Sequence, residues 1–438
     1  MPTYRAPGVY VEEVPSGTHP IGAVGTSVAG FVGTAPDPSA SPNKAVALTN
    51  WTQFTNIFAF EGNGFQKKEG SPPPEHESTP LARAVYGFFD NGGALCYVVN
   101  VGEDDPIAGV GGYRAGIQQF EEIDEIAIVA APGRTDVASY EALLAHCERM
   151  GDRVAILDPP PEDGVDIQRL TKVATAPPPA RPTGRAAVGE GGGSGGGGGE
   201  PPAGGGPSGG GGPSGGDGGL RPRESEYGAF YFPEIQVADP LSGESLYTAP
   251  SGHIAGVWGF VDSERGVHHA PANAVIRGLV GLRQQITPQE QELLNPKGVN
   301  CIRTFGTTTL IWGARMLTPE ADPLRYINVR RLMLMLKESI QEGTRWIVFR
   351  PNDYELWSSI RLDISNFLTG VWRDGALFGR TAQQAFFVKC DEETNPPDQR
   401  DRGVVTTVIG VAPVKPAEFV VFKISQSAGG SESEIIGG

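Results

Sequence analysis

Cysteine is scarce in this chain. There are four among 438 residues, and Cys96, Cys147, Cys301 and Cys390 stand too far apart for a C-x-x-C pair. That spacing suits neither a disulfide framework nor a structural zinc site, and points to free thiols kept in a reducing compartment. Positive charge is also short: 35 Lys and Arg stand against 51 Asp and Glu, a net charge of −16. A nucleic-acid binder that needs a basic face is thereby excluded. No window approaches the ~20 consecutive apolar residues of a membrane span, so no direct membrane insertion is expected. The N-terminus, MPTYRAPGVY, lacks the apolar core of a signal peptide. Synthesis and assembly in the cytoplasm are expected.

Catalytic motifs are missing too. The glycines between Gly109 and Gly116 lack the G-x-G-x-x-G spacing with a helix behind it. Neither G-x-x-x-x-G-K-[ST] nor a G-x-S-x-G elbow occurs. His268 and His269 are adjacent and cannot share one helix face, and no H-E-x-x-H surrounds them. Asp158 follows a strand, where doubly wound enzymes place ligands, but Pro159-Pro160-Pro161 comes next and favours a turn. No cofactor, metal or catalytic residue is therefore assigned.

What is present is pattern. Residues 25–175 alternate strand and helix: strands at Ser27–Val32, Ala94–Val101, Ile126–Ala131 and Val154–Leu157, helices at Trp51–Phe58, from Thr79-Pro80 to a stop at Asn91-Gly92 with Leu81, Val85 and Phe88 on one face, and at Val137–Met150. Near-continuous apolar strands between amphipathic helices predict a mostly parallel sheet covered on both faces. Residues 176–226 break this with a Gly/Pro-rich run that cannot bury a core, expected to be a flexible or disordered surface loop. Structure should resume at Ala229–Phe232 and Ile235–Val237, with a turn at Asp239-Pro240 and a helix from Pro250-Ser251-Gly252. Ala274–Leu282 reads as helix or irregular structure. Val299–Arg303 and Leu310–Trp312 are strand candidates leading into the C-terminal third.

That third is organised by two amphipathic helices. Asp322-Pro323 is a capping side chain followed by proline at a first helical position, with Val329, Leu332, Met333, Leu336 and Ile340 at helical spacing and Gly343 closing the segment. Pro351-Asn352-Asp353 opens the second, with Leu356, Ile360, Ile364 and Phe367 on one face and Gly370 at its end. Strand-like runs follow at Ala385–Val388, Val404–Val411 and Glu418–Ile424. At the other terminus Val9, Tyr10, Val11, Glu12, Glu13 and Val14 form one extended run among prolines and glycines. A lone strand leaves its backbone groups unpaired, so this run is either an edge strand of its own domain or an arm donated to a neighbour by β-augmentation.

RPND at 350–353, GVWRDGALFG at 370–379, FFVKCDEETN at 386–395, IGVAPVKPAEFVVFKISQ at 409–426, YRAPGVYVEEV at 4–14, AGFVGTAP at 29–36, KGVNCIR at 297–303 and WGARML at 312–317 resemble contractile tail sheath proteins. These are the outer sheaths of contractile phage tails, R-type bacteriocins and extracellular contractile injection particles. The resemblance covers nearly the whole chain except about residues 176–226.

It implies an α/β (α+β) subunit. An N-terminal exchange arm (1–24) and a C-terminal domain (286–438) would form an inner assembly domain around an inserted βαβ-type middle domain (25–285), with the two chain ends close together. It implies a structural protein, not an enzyme, that polymerises helically with itself around an inner tube protein, capped by baseplate and terminal proteins. Arm exchange would then use Val9–Val14 at one end and Phe419, Val420, Val421, Phe422 and Ile424 at the other. Arg330, Arg331, Arg361, Arg373 and Arg380 become candidate inner-tube contacts, against the alternative of ordinary salt bridges. Pattern alone leaves a doubly wound enzyme and a binding module as other readings.

Overall fold

The computed structural model describes residues 19–59, 78–102, 106–109, 114–175 and 218–421. The Gly/Pro-rich run from 176 to 217, residues 1–18 of the expected N-terminal arm, and residues 422–438 fall outside them.

The first half opens with β1 (Ala29–Gly33) and β2 (Ala45–Leu48), then α1 (Trp51–Phe58), α2 (Pro80–Asp90) and β3 (Cys96–Asn100). Next come β4 (Ile128–Ala130), α3 (Val137–Met150), β5 (Val154–Leu157) and the short α4 (Ile167–Leu170). The helix limits follow from capping chemistry. Asn50 accepts from Gln53 N at 2.9 Å, Thr79 from Ala82 N at 3.2 Å ahead of Pro80, and Asp136 from Ser139 N at 2.9 Å. Gly151 ends α3 in the left-handed region at φ 69°.

The chain resumes with β6 (Gly228–Phe232), β7 (Ile235–Ala238), β8 (Ser245–Thr248), α5 (Ser251–Arg265), β9 (Ala274–Val275), β10 (Leu279–Leu282), α6 (Pro288–Leu294), β11 (Val299–Phe305) and β12 (Thr308–Trp312). Nine strands make one sheet in the order β2-β3-β1-β4-β5-β6-β11-β12-β9. β3, β1, β4, β5, β6 and β11 are mutually parallel, with antiparallel strands at both flanks. Alternation along each strand supplies two cores. Phe31, Val154, Ile156 and Tyr231 face α2 and α5, whereas Val32, Ala155, Leu157 and Phe230 face α3 and α4. α2 and α5 cross closely: a Cβ on Gly252 would lie 2.3 Å from the Ala84 backbone, so that contact requires glycine.

Three expectations are corrected here. β11 and β12, placed with the C-terminal third, pair into this sheet, so the sheet layer runs past residue 286. Ala274–Leu282 forms β9 and β10, not a helix; β10 pairs with β7 in a three-stranded sheet with β8. The helix expected from Asp322-Pro323 begins later, as α7 (Ile327–Gly343). Asp322 instead closes a turn, accepting from Leu324 N at 2.7 Å, and Tyr326 is held extended by its bridge to Arg315.

The C-terminal unit comprises α7, α8 (Tyr354–Arg373), α9 (Ala382–Ala385), β13 (Phe386–Lys389), α10 (Pro397–Asp401) and β14 (Val408–Val411). α8 starts where Asp353 accepts from Leu356 N at 2.9 Å. It runs through Gly370 to Arg373 and stops ahead of Gly375 at φ 83°. A third core of Leu332, Leu336, Leu356, Trp357, Ile360, Ile364 and Leu368 joins α7 to α8. Each such fully buried aliphatic or aromatic side chain contributes about 1.5–3 kcal/mol.

Candidate assembly interface

β13 and β14 form an isolated antiparallel pair, Phe386 opposite Val411 and Lys389 opposite Val408. Two strands expose two outer edges, and no other strand among the described residues pairs with either. Phe387 and Val408 beside those edges are 56 % and 43 % exposed. Unpaired edges carrying apolar side chains are templates for a strand from another chain.

From β14 the backbone runs back over the subunit as a strap. Ala412 N donates to Ala385 O at 2.9 Å and Val414 N to Ala376 O at 3.1 Å. Asn328, in the first turn of α7, donates through Nδ2 to Val414 O at 3.2 Å. Glu418 is then clamped: Arg315 Nε and Nη2 bind its two oxygens at 2.9 and 2.7 Å, Asn295 Nδ2 donates at 2.7 Å, and Tyr326 Oη donates at 3.1 Å. Burial pushes the Glu418 carboxyl up, but these donors outweigh it and hold it below the usual carboxylate range. A cavity of about 640 Å³ lies under the strap, walled by Trp312, Tyr326 and Gln291. Immediately past the clamp Phe419, Val420 and Val421 are 74 %, 67 % and 78 % exposed. They lie in no strand in the single subunit. Phe422 and Ile424 lie outside the described residues.

The root of the other arm is equally fixed, although Val9, Tyr10, Val11, Glu12, Glu13 and Val14 lie outside the described residues. His19 stacks on Trp346 with centroids 4.3 Å apart. Ile21 lies against Gly343, where a Cβ would approach it to 2.7 Å. Val24 N donates to Ser339 Oγ at 3.0 Å. Thr26 donates its hydroxyl to Asp262 at 2.7 Å and its carbonyl accepts from Arg331 at 2.9 Å. The chain ends expected to lie together fall outside the described residues; His19 sits past the C-terminal end of α7 and Val414–Glu418 beside its first turn.

The five arginines divide. Arg331 is buried, its guanidinium bonded to Asp262 and lying 4.6 Å from the Trp258 ring. Arg330 is buried, 3.1 Å from Glu226 and 4.1 Å from the Tyr227 ring. Both tie α7 to the sheet layer and neither is presented to a partner. Helical periodicity could not separate them from surface arginines, because the anions and rings they meet belong to distant segments. Arg361 is half-buried and donates to Cys390 O and, at 2.9 Å, to Ser358 Oγ. Arg373 and Arg380 are exposed.

The strand-end position that enzymes of this topology use is sealed. Asp158 is 2 % exposed and accepts from Ser251 N and Oγ at 2.8 and 2.7 Å and from Gly133 N at 3.2 Å. Its carboxylate caps α5 rather than facing a cleft. The His268 and His269 rings lie with centroids 4.4 Å apart, tilted 49° to one another. Among the described residues, no group of three His, Cys, Asp or Glu side chains could hold a metal ion. The four cysteines are free and buried, and burial pushes the Cys301 thiol up to about 12. No described helix is long and apolar enough to cross a membrane.

The described residues thus form a doubly wound sheet layer and a helical unit whose two-stranded ribbon pairs with no other strand among them. Comparisons with known proteins give the family. Residues 224–316 match the phage tail sheath protein central domain and residues 320–427 the phage tail sheath C-terminal domain. The tail sheath protein of Vibrio phage KVP40 is 28 % identical over 204 residues, covering 45 % of this chain and 30 % of that protein. The match thus spans about a third of that curated relative. Two solved structures resemble nearly the whole chain. The helical sheath of the anti-feeding prophage in its contracted state is 27 % identical, with 97 % of this chain and 100 % of that chain covered and a TM-score of 0.67. The contracted sheath complex of the extracellular contractile injection system PVC is 24 % identical, with 98 % and 99 % covered and a TM-score of 0.69. Residues 224–316 and 320–427 thus match the two domains of the contractile tail sheath family, and the chain as a whole resembles contractile sheath subunits.

Proposed function

We propose that this chain is the structural sheath subunit of a phage-tail-like contractile injection machine. It polymerises helically around an inner tube and contracts from a metastable extended state, driving the tube through a target envelope. The observation that carries this reading is the juxtaposition of donor and acceptor. Phe419–Val421 leaves the body as an exposed apolar segment, while β13 and β14 each keep an open edge. An arm from one neighbour on each edge would complete a four-stranded sheet. Each exchanged backbone hydrogen bond is worth about 0.5–1.5 kcal/mol net. A head-to-tail contact of this kind does not close on itself and grows into a filament. The work of contraction then resides in subunit interfaces, with no nucleotide step. Baseplate and terminal cap proteins bound the filament, and assembly takes place in the cytoplasm.

In this reading the C-terminal unit faces the tube. Arg373 and Arg380 are the exposed candidates for tube contacts, and Arg361, further back along α8, is half-buried. Arg380→Glu should impair assembly on the tube while leaving the subunit folded. The primary test is negative-stain electron microscopy of the chain, with the tube protein co-expressed, with and without residues 1–15. Hollow striated cylinders that disappear on truncation, while the subunit stays soluble and folded, are the expected result. Cylinders that survive truncation would discard arm exchange at that end. Small closed oligomers from the intact chain would discard the sheath reading.

A further inference from the structure

Both arm roots are fastened to one helix, at opposite ends. The N-terminal root runs antiparallel to α7, and its fastenings advance in register: Thr26 at Arg331, Val24 at Ser339, Ile21 at Gly343, and His19 at Trp346 just beyond. The lengths agree. Five extended residues from Thr26 to Ile21 span about 17 Å at ~3.3 Å each, and twelve helical residues from Arg331 to Gly343 span about 18 Å at 1.5 Å each. The C-terminal root is fastened at the other end, by Asn328 to Val414 and by Tyr326, the N-cap of α7, to Glu418.

We infer that α7 is a tie rod. It fixes the separation of the two arm exits at about 25 Å, the length of 17 helical residues at 1.5 Å each. It also passes axial load from the neighbour holding one arm to the neighbour holding the other. A hydrogen-bonded helix loaded along its axis is stiff. The sheet layer, joined to α7 from the side through the Arg331–Asp262 and Arg330–Glu226 pairs, is carried along instead of bearing the load. Slack at either root would uncouple successive subunits while leaving each fold intact. This inference rests on the sheath reading for its load. The fastening of the two roots is a property of the isolated subunit.

The test has two arms. In the isolated chain, hydrogen exchange followed by mass spectrometry should show slowed exchange at Val24, Ala412 and Val414, the root residues whose amides are hydrogen-bonded to the body of the subunit. Ser339→Ala should speed exchange at 22–25, and Glu418→Ala at 414–418, each at least tenfold, with the β-sheet peptides unchanged. Exchange of both roots in the wild type at free-peptide rates would overturn the fastening. Should Glu418→Ala fail to fold, Glu418→Gln keeps the volume, removes the charge, and is read in the same peptides. In the second arm, particles assembled on the tube are triggered and imaged. Wild-type sheaths should contract along their whole length. Sheaths of the variant combining Ser339→Ala with Glu418→Ala should stall, with extended and contracted segments in one particle. Full-length contraction by variants whose roots exchange freely would overturn the tie rod. If the wild-type chain forms no sheath at all, the functional reading fails, and the exchange data alone decide whether the roots are fastened.

Discussion

Phe349 is the residue most at odds with its own subunit. It lies between α7 and α8 at φ 68° and is fully exposed, at 103 % of the reference area. The left-handed region costs a non-glycine residue about 1–2 kcal/mol, and an exposed ring recovers none of that within the subunit. Phe349→Asn, which tolerates this φ, should raise the urea stability of the isolated chain by about 1 kcal/mol and weaken assembly. Unchanged or reduced stability would contradict the strain. Asp158 offers a second check at this scale. Burial pushes its carboxyl up to about 7, against the hydrogen bonds from Ser251 and Gly133. In the unfolded chain it titrates near ~3.9. The folded state thus keeps a proton that the unfolded state releases between about pH 4 and pH 7. This group's contribution to stability is full below pH ~4 and is lost as pH rises through about 7. The stability difference between wild type and Asp158→Asn, read from urea midpoints across that window, should fall with rising pH. A difference that stays constant would show that Asp158 is ionised throughout.

At the scale of elements, α7 depends on a desolvated pair. The Arg331 and Asp262 side chains are 3 % and 4 % exposed. Arg331→Met leaves Asp262 buried and unpaired, which typically costs about 3–5 kcal/mol, and adding Asp262→Leu should restore part of the loss. Chemical denaturation of the single and double variants checks both statements. How far elements could be read from sequence follows from where their information lies. Val137–Met150 and Val154–Leu157 were legible to the residue, since a capping Asp136, a terminal Gly151 and unbroken apolar runs are local signals. The start of α7 was not, because Tyr326 is held extended by Arg315, eleven residues earlier in the chain. β9 and β10 were missed for the same reason: their strand character comes from β12 and β7, not from their own sequence. Of the expected strand Glu418–Ile424, the described part, Glu418–Val421, pairs with no strand among the described residues, so its apolar composition did not translate into a strand here. Among the candidate arginines, exposure separates Arg373 and Arg380 from Arg330 and Arg331, and no periodicity encodes that.

For the whole molecule, charge sets the terms of association. Subunits of net charge −16 repel one another at low ionic strength, and salt screens that repulsion over about 10 Å at 0.1 M. Raising salt from about 0.05 to 0.5 M should lower the concentration at which filaments appear in light scattering. Filaments that dissolve with salt would mean that ion pairs between subunits dominate instead. One further feature bears on the molecule as a whole. Val173 and Ala174 bridge to Arg221 and Gly219, so the chain departs at 175 and returns at 218 through neighbouring points on the subunit. For a connection anchored at two such neighbouring points, doubling its length costs only about 0.6 kcal/mol. This makes the junction a socket: a foreign peptide or small domain whose ends lie close together could be plugged in there, and a helical array would repeat it at every subunit.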